Sequence, residues 1–244
     1  MSARRLAVFS LMVLASLVGA SRAQAAIVTF YGADDGAGPG DPRPLSDAAA
    51  LAFDAAAGLH SVIDFEGAPL GNFGSLVVAP GVMATLNNLD PAFSRISNVD
   101  QHTPTPLGYN TTTGGTQFLQ IAPNFNDAAG GSVTFSFASP IDAFGGYLTD
   151  TQVGFPGEIT VTFSDGSSQL LPVTKNSDAG GVLFFGFTDL GASISSITYN
   201  TGATDSTRDV WGIDDVRFAT TVPEPGTLAL LGAGAGLLLR RRRR

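Results

Sequence analysis

The chain has no cysteine, a single lysine (Lys175), a single tryptophan (Trp211) and two histidines, His60 and His102, in 244 residues. The missing cysteines exclude disulfides, thiolate nucleophiles and Cys-based zinc sites. Neither H-E-x-x-H nor G-x-S-x-G occurs, so the local signatures of zinc peptidases and of serine hydrolases with a nucleophile elbow are absent as well. Glutamate is scarce: ahead of the last 24 residues only Glu66 and Glu158 occur, so a pair of carboxylates for glycoside hydrolysis would have to draw on aspartate. Cations are scarce in the middle of the chain. Between residues 27 and 221 there are only Arg43, Arg95, Lys175, Arg208 and Arg217 against twenty acids, a charge of about −15 hidden behind the whole-chain value of −8. Such a body repels nucleic acid and attracts divalent cations.

The remaining arginines sit at the two ends. At the N-terminus, Arg4 and Arg5 precede an apolar run from Leu6 to about Ala20 and the small triplet Ala23-Gln24-Ala25. That order is a secretory signal peptide over residues 1–25, handled by the secretion machinery and signal peptidase. At the C-terminus, Pro223-Glu224-Pro225 is followed by an apolar stretch over 227–239 and then by Arg240, Arg241, Arg242, Arg243 and Arg244. Thirteen helical residues rise about 20 Å, short of the ~30 Å hydrocarbon thickness, but snorkelling arginines and a thinned bilayer close the gap. The arginines then hold that end in the cytoplasm and leave the body outside. This tripartite ending over residues 222–244 resembles the PEP-CTERM sorting signal of exported proteins in exopolysaccharide-producing Gram-negative bacteria. The resemblance implies processing by a membrane protease-transpeptidase of the exosortase type. It also implies transient residence in the inner membrane, and a final place in the cell envelope or extracellular matrix, beside exopolysaccharide.

Residues 26–60 form an N-terminal segment. A Gly/Pro/Asp loop leads to an alanine-rich helix from about Asp47 to Ala57, with Ser46 as its expected N-cap and Gly58 closing it. Beyond His60 the pattern turns to period two. Strands are expected at 61–66, 75–78, 82–86, 117–122, 132–137, 141–148, 158–163, 168–174, 182–188, 194–199 and 212–218. The clearest alternation is Val133-Phe135-Phe137 and Ile159-Val161-Phe163, with Ser or Thr between, which suits sheets with one buried and one wet face. Many short strands without an internal repeat predict an all-β fold over 61–219: a two-sheet antiparallel β-sandwich of jelly-roll type, flanked by the short N-terminal helix and the C-terminal hydrophobic helix. Residues 87–116, rich in Asn, Thr, Pro and Gly, form the longest stretch without a strand pattern, where binding functions often sit.

Two acidic motifs stand out, VIDFEG and WGIDDVRF. By strict alternation Asp214 shares a face with Val216 and Phe218, and Asp215 with Trp211, Ile213 and Arg217, unless the doublet marks a bulge. In the first motif Asp64 and Glu66 share a face, about 7 Å apart along the strand. If the two strands are neighbours, Asp64, Glu66, Asp214 and Asp215 form a candidate site for structural Ca²⁺, whose hard carboxylate ligands they would supply; the plainer reading is turn caps and a salt bridge to Arg208 or Arg217. An opening D-F-E and a closing I-D-D-V are similar to the ends of MAM and related concanavalin-like adhesion domains. In those domains acidic residues at that place can hold a structural cation. For a glycan ligand the candidates are Tyr109, Phe155 and Trp211 as stacking rings and Asn124 and Asn126 as planar hydrogen-bonding groups. The expectation is an exported, non-enzymatic β-sandwich that is adhesive, structural or glycan-binding. The alternatives are a glycosidase or lyase on the same fold, or a protein-partner module of the exported matrix.

Overall fold

The computed structural model describes residues 27–127, 130–152, 159–171, 180–189, 193–201 and 209–220. The elements in order are β1 (Val28–Asp35), α1 (Pro44–Ala57), β2 (Ser61–Ile63), β3 (Ser75–Ala79), β4 (Val82–Asn87), β5 (Arg95–Ser97), β6 (Phe118–Ile121), β7 (Ser132–Thr149), β8 (Ile159–Phe163), β9 (Ser168–Leu171), β10 (Gly181–Thr188), β11 (Ile194–Asn200) and β12 (Trp211–Thr220). The described strand pairings are antiparallel.

The long strand β7 belongs to both layers of the sandwich. Residues 132–137 lie between β4 and β11, while residues 141–149 lie between β10 and β12. The change of partners falls at Ala138, Ser139 and Pro140, all exposed; a proline, which has no N–H to give a ladder, fits such a corner. One sheet therefore runs β3-β4-β7-β11-β8-β9. The other runs β1-β10-β7-β12, with the far side of β12 shared by β6 and β2. The fold is a two-sheet antiparallel sandwich of jelly-roll type, and the two segments expected at 132–137 and 141–148 are one bent strand.

Between the sheets, Phe135, Phe144, Tyr199 and Trp211 form a chain of rings with centroids 5.8 Å (Phe135–Phe144), 6.2 Å (Phe144–Tyr199) and 5.8 Å (Tyr199–Trp211) apart. Strand β10 is buried on both sides. Leu183, Phe185 and Phe187 face this core, whereas Val182 and Phe184 face a second cluster under α1 with Ala50, Phe53, Tyr147 and Ala219. That is why β10 reads as a continuous apolar run rather than an alternation.

Two strands escape the sequence pattern, β1 and the three-residue β5. The helix also starts earlier than expected, at Pro44, and Ser46 does not cap it. Asp34 of β1 does so from a distance, accepting the Leu45 N–H (3.0 Å), the Ser46 N–H (2.8 Å) and the Ser46 hydroxyl (2.7 Å). Burial pushes the Asp34 carboxyl up, but these donors and the Arg43 charge outweigh it and hold the group below the usual carboxylate range. Asp34→Ala is expected to cost about 1–2 kcal/mol, seen as a lower urea midpoint at unchanged m-value.

No helix among the described residues is long and apolar enough to cross a membrane. The expected signal peptide (1–25), the sorting tripeptide and the helix at 227–239 lie outside the described residues, as does Phe155.

Candidate functional site

Strands β2 and β12 are neighbours, with Val216 opposite Ile63 and Phe218 opposite Ser61. The Asp214-Asp215 doublet is a bulge: the register with β7 shifts between Asp214 and Arg217, and Asp215 adopts φ +45°. The extra residue re-phases the strand. Trp211, Ile213, Val216 and Phe218 face the core, and Asp214 turns to the opposite face, as does Ala219. Strict alternation had placed Asp214 with Val216 and Phe218, and the bulge corrects that.

On this outer face, residues 107–117 lie over β12 and the end of β7. Asp214 is fully buried, and its Oδ2 accepts from the Thr111 N–H (2.7 Å), the Thr112 N–H (3.2 Å), the Asn110 carboxamide (3.2 Å) and the hydroxyls of Thr111 (3.1 Å) and Thr112 (3.4 Å). Its Oδ1 is buried without a hydrogen-bond partner among the described residues. Burial, then the neighbouring Asp215 charge, push the Asp214 carboxyl up to about 8 despite those donors. Asp215 accepts from the same hydroxyls, 2.7 Å from Thr112 and 3.2 Å from Thr111. Glu66 grips the far end of the loop, accepting the Thr116 and Gln117 N–H groups (2.7 Å each) and the Asn110 carboxamide (3.1 Å). A Cβ at Gly115 would crowd the Glu66 carboxylate and Thr112 Cβ, so a larger residue there would displace the Glu66 side chain from its donors.

Of the four carboxylates expected to hold calcium, the structure thus brings Glu66, Asp214 and Asp215 to one loop. Asp64 faces solvent, where it accepts the Glu66 N–H at 3.1 Å; β2 ends at Ile63 and Phe65 turns to φ +58°. Among the described residues no three His, Asp or Glu side chains converge to hold a metal ion. The carboxylates act as acceptors that tie residues 110–117 to the sandwich.

A second buried acid repeats the arrangement. Asp150, fully buried at φ +59°, accepts from His102 Nδ1 (2.7 Å), Gly108 N–H (3.1 Å) and Gly181 N–H (3.2 Å), and burial outweighs these partners to raise its carboxyl. The described cations are engaged too. The Arg43 and Arg217 guanidinium carbons lie 4.5 and 5.2 Å from the Tyr147 ring centroid, and their side chains pair with Asp47 (2.9 Å) and Asp54 (3.1 Å). Arg95 reaches the Gln120 carboxamide at 3.4 Å.

Tyr109 and Trp211, candidates for stacking on sugar, are core residues only 3% and 2% exposed. Tyr109 closes the space beneath its loop and donates its hydroxyl to the Ala37 carbonyl, and Trp211 packs on Tyr199. Asn124 and Asn126 are placed differently, in the turn between β6 and β7. Asn124 donates to Asn88 Oδ1 (3.1 Å), Asn88 donates to Asp127 (2.8 Å), and the Asn126 N–H donates to Asn124 Oδ1 (3.0 Å). Between them Phe125 stands 45% exposed; on the turn tied alongside by the Asp90 N–H and Ala122 carbonyl (3.1 Å), Phe93 stands 42% exposed. Sequence reasoning missed both rings, since nothing in a lone Phe marks it as solvent-facing.

This Asn/Asp/Phe turn lies where β4 ends and β7 and β12 begin, with Asn87 opposite Ser132 and Trp211 opposite Ile121. Strand β12 runs from that pole to the other, where Thr220 pairs with Ile141 beside a small apolar groove of about 110 Å³ floored by Val82, Phe137 and Phe218. Ten strand residues separate the poles, roughly 30 Å. The segment after Thr220 decides the chain's address. Residues 221–244 match the PEP-CTERM protein-sorting motif. The motif marks an exported precursor, and Thr220, the residue before it, lies at the pole opposite the Asn/Asp/Phe turn.

No curated protein matches the chain in sequence. Among solved structures it is similar to a carbohydrate-binding module of family 29 at 12% identity, over 70% of this chain and 97% of that one, TM-score 0.40. A mutant of the family 29 module CBM29-2 is similar at 12% identity, over 68% and 99%, TM-score 0.39. The enzymatically active domain of tailspike protein 4 of bacteriophage CBA120 is similar at 14% identity, over 65% of this chain and 20% of that one, TM-score 0.30.

Proposed function

We propose that this is an exported, non-enzymatic protein of the cell envelope or extracellular matrix that binds matrix polysaccharide through the pole facing away from its sorting signal. The observation that carries this reading is the opposition of the two poles. A precursor held by residues 227–239, with Arg240–Arg244 in the cytoplasm and an exosortase-type enzyme acting near Pro223-Glu224-Pro225, would present Phe125 and its Asn and Asp neighbours outward. A half-exposed ring set among carboxamides suits a sugar, whose C–H face packs on the ring while its hydroxyls meet the amides. Against an enzyme, Glu66, Asp214 and Asp215 are occupied by donors along one loop rather than open to a cleft.

A polysaccharide pull-down with the full-length protein tests the reading. Retention by at least one matrix polysaccharide is expected, with Phe125→Ala weakening it about three- to tenfold, the worth of one ring contact. Retention of Phe125→Ala and Asn126→Ala at wild-type strength would remove the pole as the binding site. Repeating the pull-down with chelator tests the calcium expectation for Asp64, Glu66, Asp214 and Asp215, which loss of retention on chelation would support.

A further inference from the structure

The two faces of the sandwich are finished differently. Helix α1 packs on β1, β10 and β7 of one sheet, while no described element packs on the outer face of the β3-β4-β7-β11-β8-β9 sheet. Along that face the side chains fall into rows. Ser75, Thr85, Thr134, Thr198 and Thr160 stand directly opposite one another on five successive strands. One step along the strands, Ser136, Ser196 and Thr162 form a second row. Their alternate neighbours Val133, Phe135, Ile197, Tyr199 and Val161 are buried in the core, so the pleat holds the hydroxyl rows outward.

Groups in the rows are fixed by hydrogen bonds: Ser75 with Thr85 (3.1 Å), Thr134 with Thr198 (3.0 Å), and Thr160 accepting from Asn200 beside the row (3.1 Å). Each hydroxyl has one donor and two acceptor positions, so these bonds fix the side chains while leaving capacity for a ligand. In a body of charge about −15 these rows carry no Asp, Glu, Lys or Arg.

We propose that this face docks an extended, uncharged polysaccharide, a second contact surface for the glycan-binding reading on which the proposal rests. Charge selects the occupant. With no cation among their described residues the rows do not favour a polyanion, and with Val77, Met83 and Leu170 only at the margins the described face lacks the aromatic and aliphatic centre of a protein interface. Threonine sets a small apolar C–H surface beside a hydroxyl, complementary to the C–H face and hydroxyls of a sugar ring, and the pair repeats every ~4.8 Å from strand to strand. Single neutral hydrogen bonds are weak, so the face binds polymer and not monosaccharide.

The test is co-sedimentation of the full-length protein in detergent with microcrystalline β-1,4-glucan, beside the polyanion alginate, for the wild type, Phe125→Ala and the triple variant Thr134→Val/Thr160→Val/Thr198→Val. Valine keeps the β-branched shape, so the triple variant should melt within a few degrees of the wild type. The wild type is expected to sediment with the glucan independently of added salt, and the triple variant to bind about tenfold or more weakly. Unchanged binding by the triple variant, with loss in Phe125→Ala, would overturn the face and leave the pole reading standing. Preference for alginate, or a change of oligomeric state in the triple variant without glycan, would overturn the proposal as well. A wild type that binds no polysaccharide would overturn both.

Discussion

Asp214→Ala is expected to lower the stability of the body by about 3–5 kcal/mol, the scale for leaving two or more buried donors without their acceptor, or about 10 °C in melting temperature for a domain of this size. The substitution strips one oxygen of five donors and leaves the Thr111 and Thr112 N–H groups without their acceptor beneath the loop. Asp214→Asn keeps an acceptor in place and is expected to fall much less. The two variants also separate charge from geometry through pH. The folded protein holds the Asp214 carboxyl near 8 against an ordinary value of 3.8, so between these values the folded state binds a proton that the unfolded chain does not. Its stabilising contribution is full below about pH 4 and is lost as pH rises to about 8. Relative to Asp214→Asn, the wild type should therefore gain up to about 1.4 kcal/mol for each pH unit of acidification within that window. Asp142, Asp150 and Asp189 are also raised, with burial the leading cause in each, but they are common to both proteins and cancel. Parallel urea-derived stabilities of the two proteins from pH 8 to pH 5 would show that Asp214 does not carry the raised value.

Strands with one wet face were legible because their period survives in the letters, as in Val133-Phe135-Phe137. The pairing of β2 with β12 was also legible, from the placing of VIDFEG and WGIDDVRF near the two ends of the body. What escaped was set by contacts distant in sequence. β1 reads as a Gly/Asp-rich leader because its second half is shaped by the helix above it, and β5 is three residues long. The Asp-Asp doublet signalled a bulge, but only the register shows that the bulge carries Asp214 across to Arg217 and Ala219. Tyr109 and Trp211 looked like platforms because ring type is visible in a sequence and burial is not. The stretch 87–116 looked open because its polar residues have no period. Its order comes from Glu66, Asp150 and Asp214, supplied by three other parts of the chain.

The seating of α1 gives the second large effect. Gly32 of β1 faces the first turn of the helix so closely that a Cβ would stand 2.1 Å from the Leu45 carbonyl oxygen and 2.7 Å from its carbon. Both are backbone atoms, so no rotamer change relieves the clash, and Gly32→Ala must lift the helix N-terminus. Lifting it breaks the three hydrogen bonds that Asp34 makes to Leu45 and Ser46. At the other end of the helix Phe53, fully buried, sits 5.8 Å from the Phe30 ring and 5.6 Å from that of Phe184, over Gly186, where a Cβ would stand 2.8 Å from the Phe53 ring. Phe53→Ala is expected to cost about 3–5 kcal/mol, and Gly32→Ala about 3 kcal/mol, the upper part of the range for overpacking. Since both act by undocking one helix from one sheet, the double variant should lose clearly less than the sum. Limited proteolysis should then cut between residues 36 and 60 in either variant while the strands stay protected. Additive losses, or cuts appearing first within the sandwich, would mean that the helix is not a separately docked unit and that β1 and β10 depend on it to stay paired.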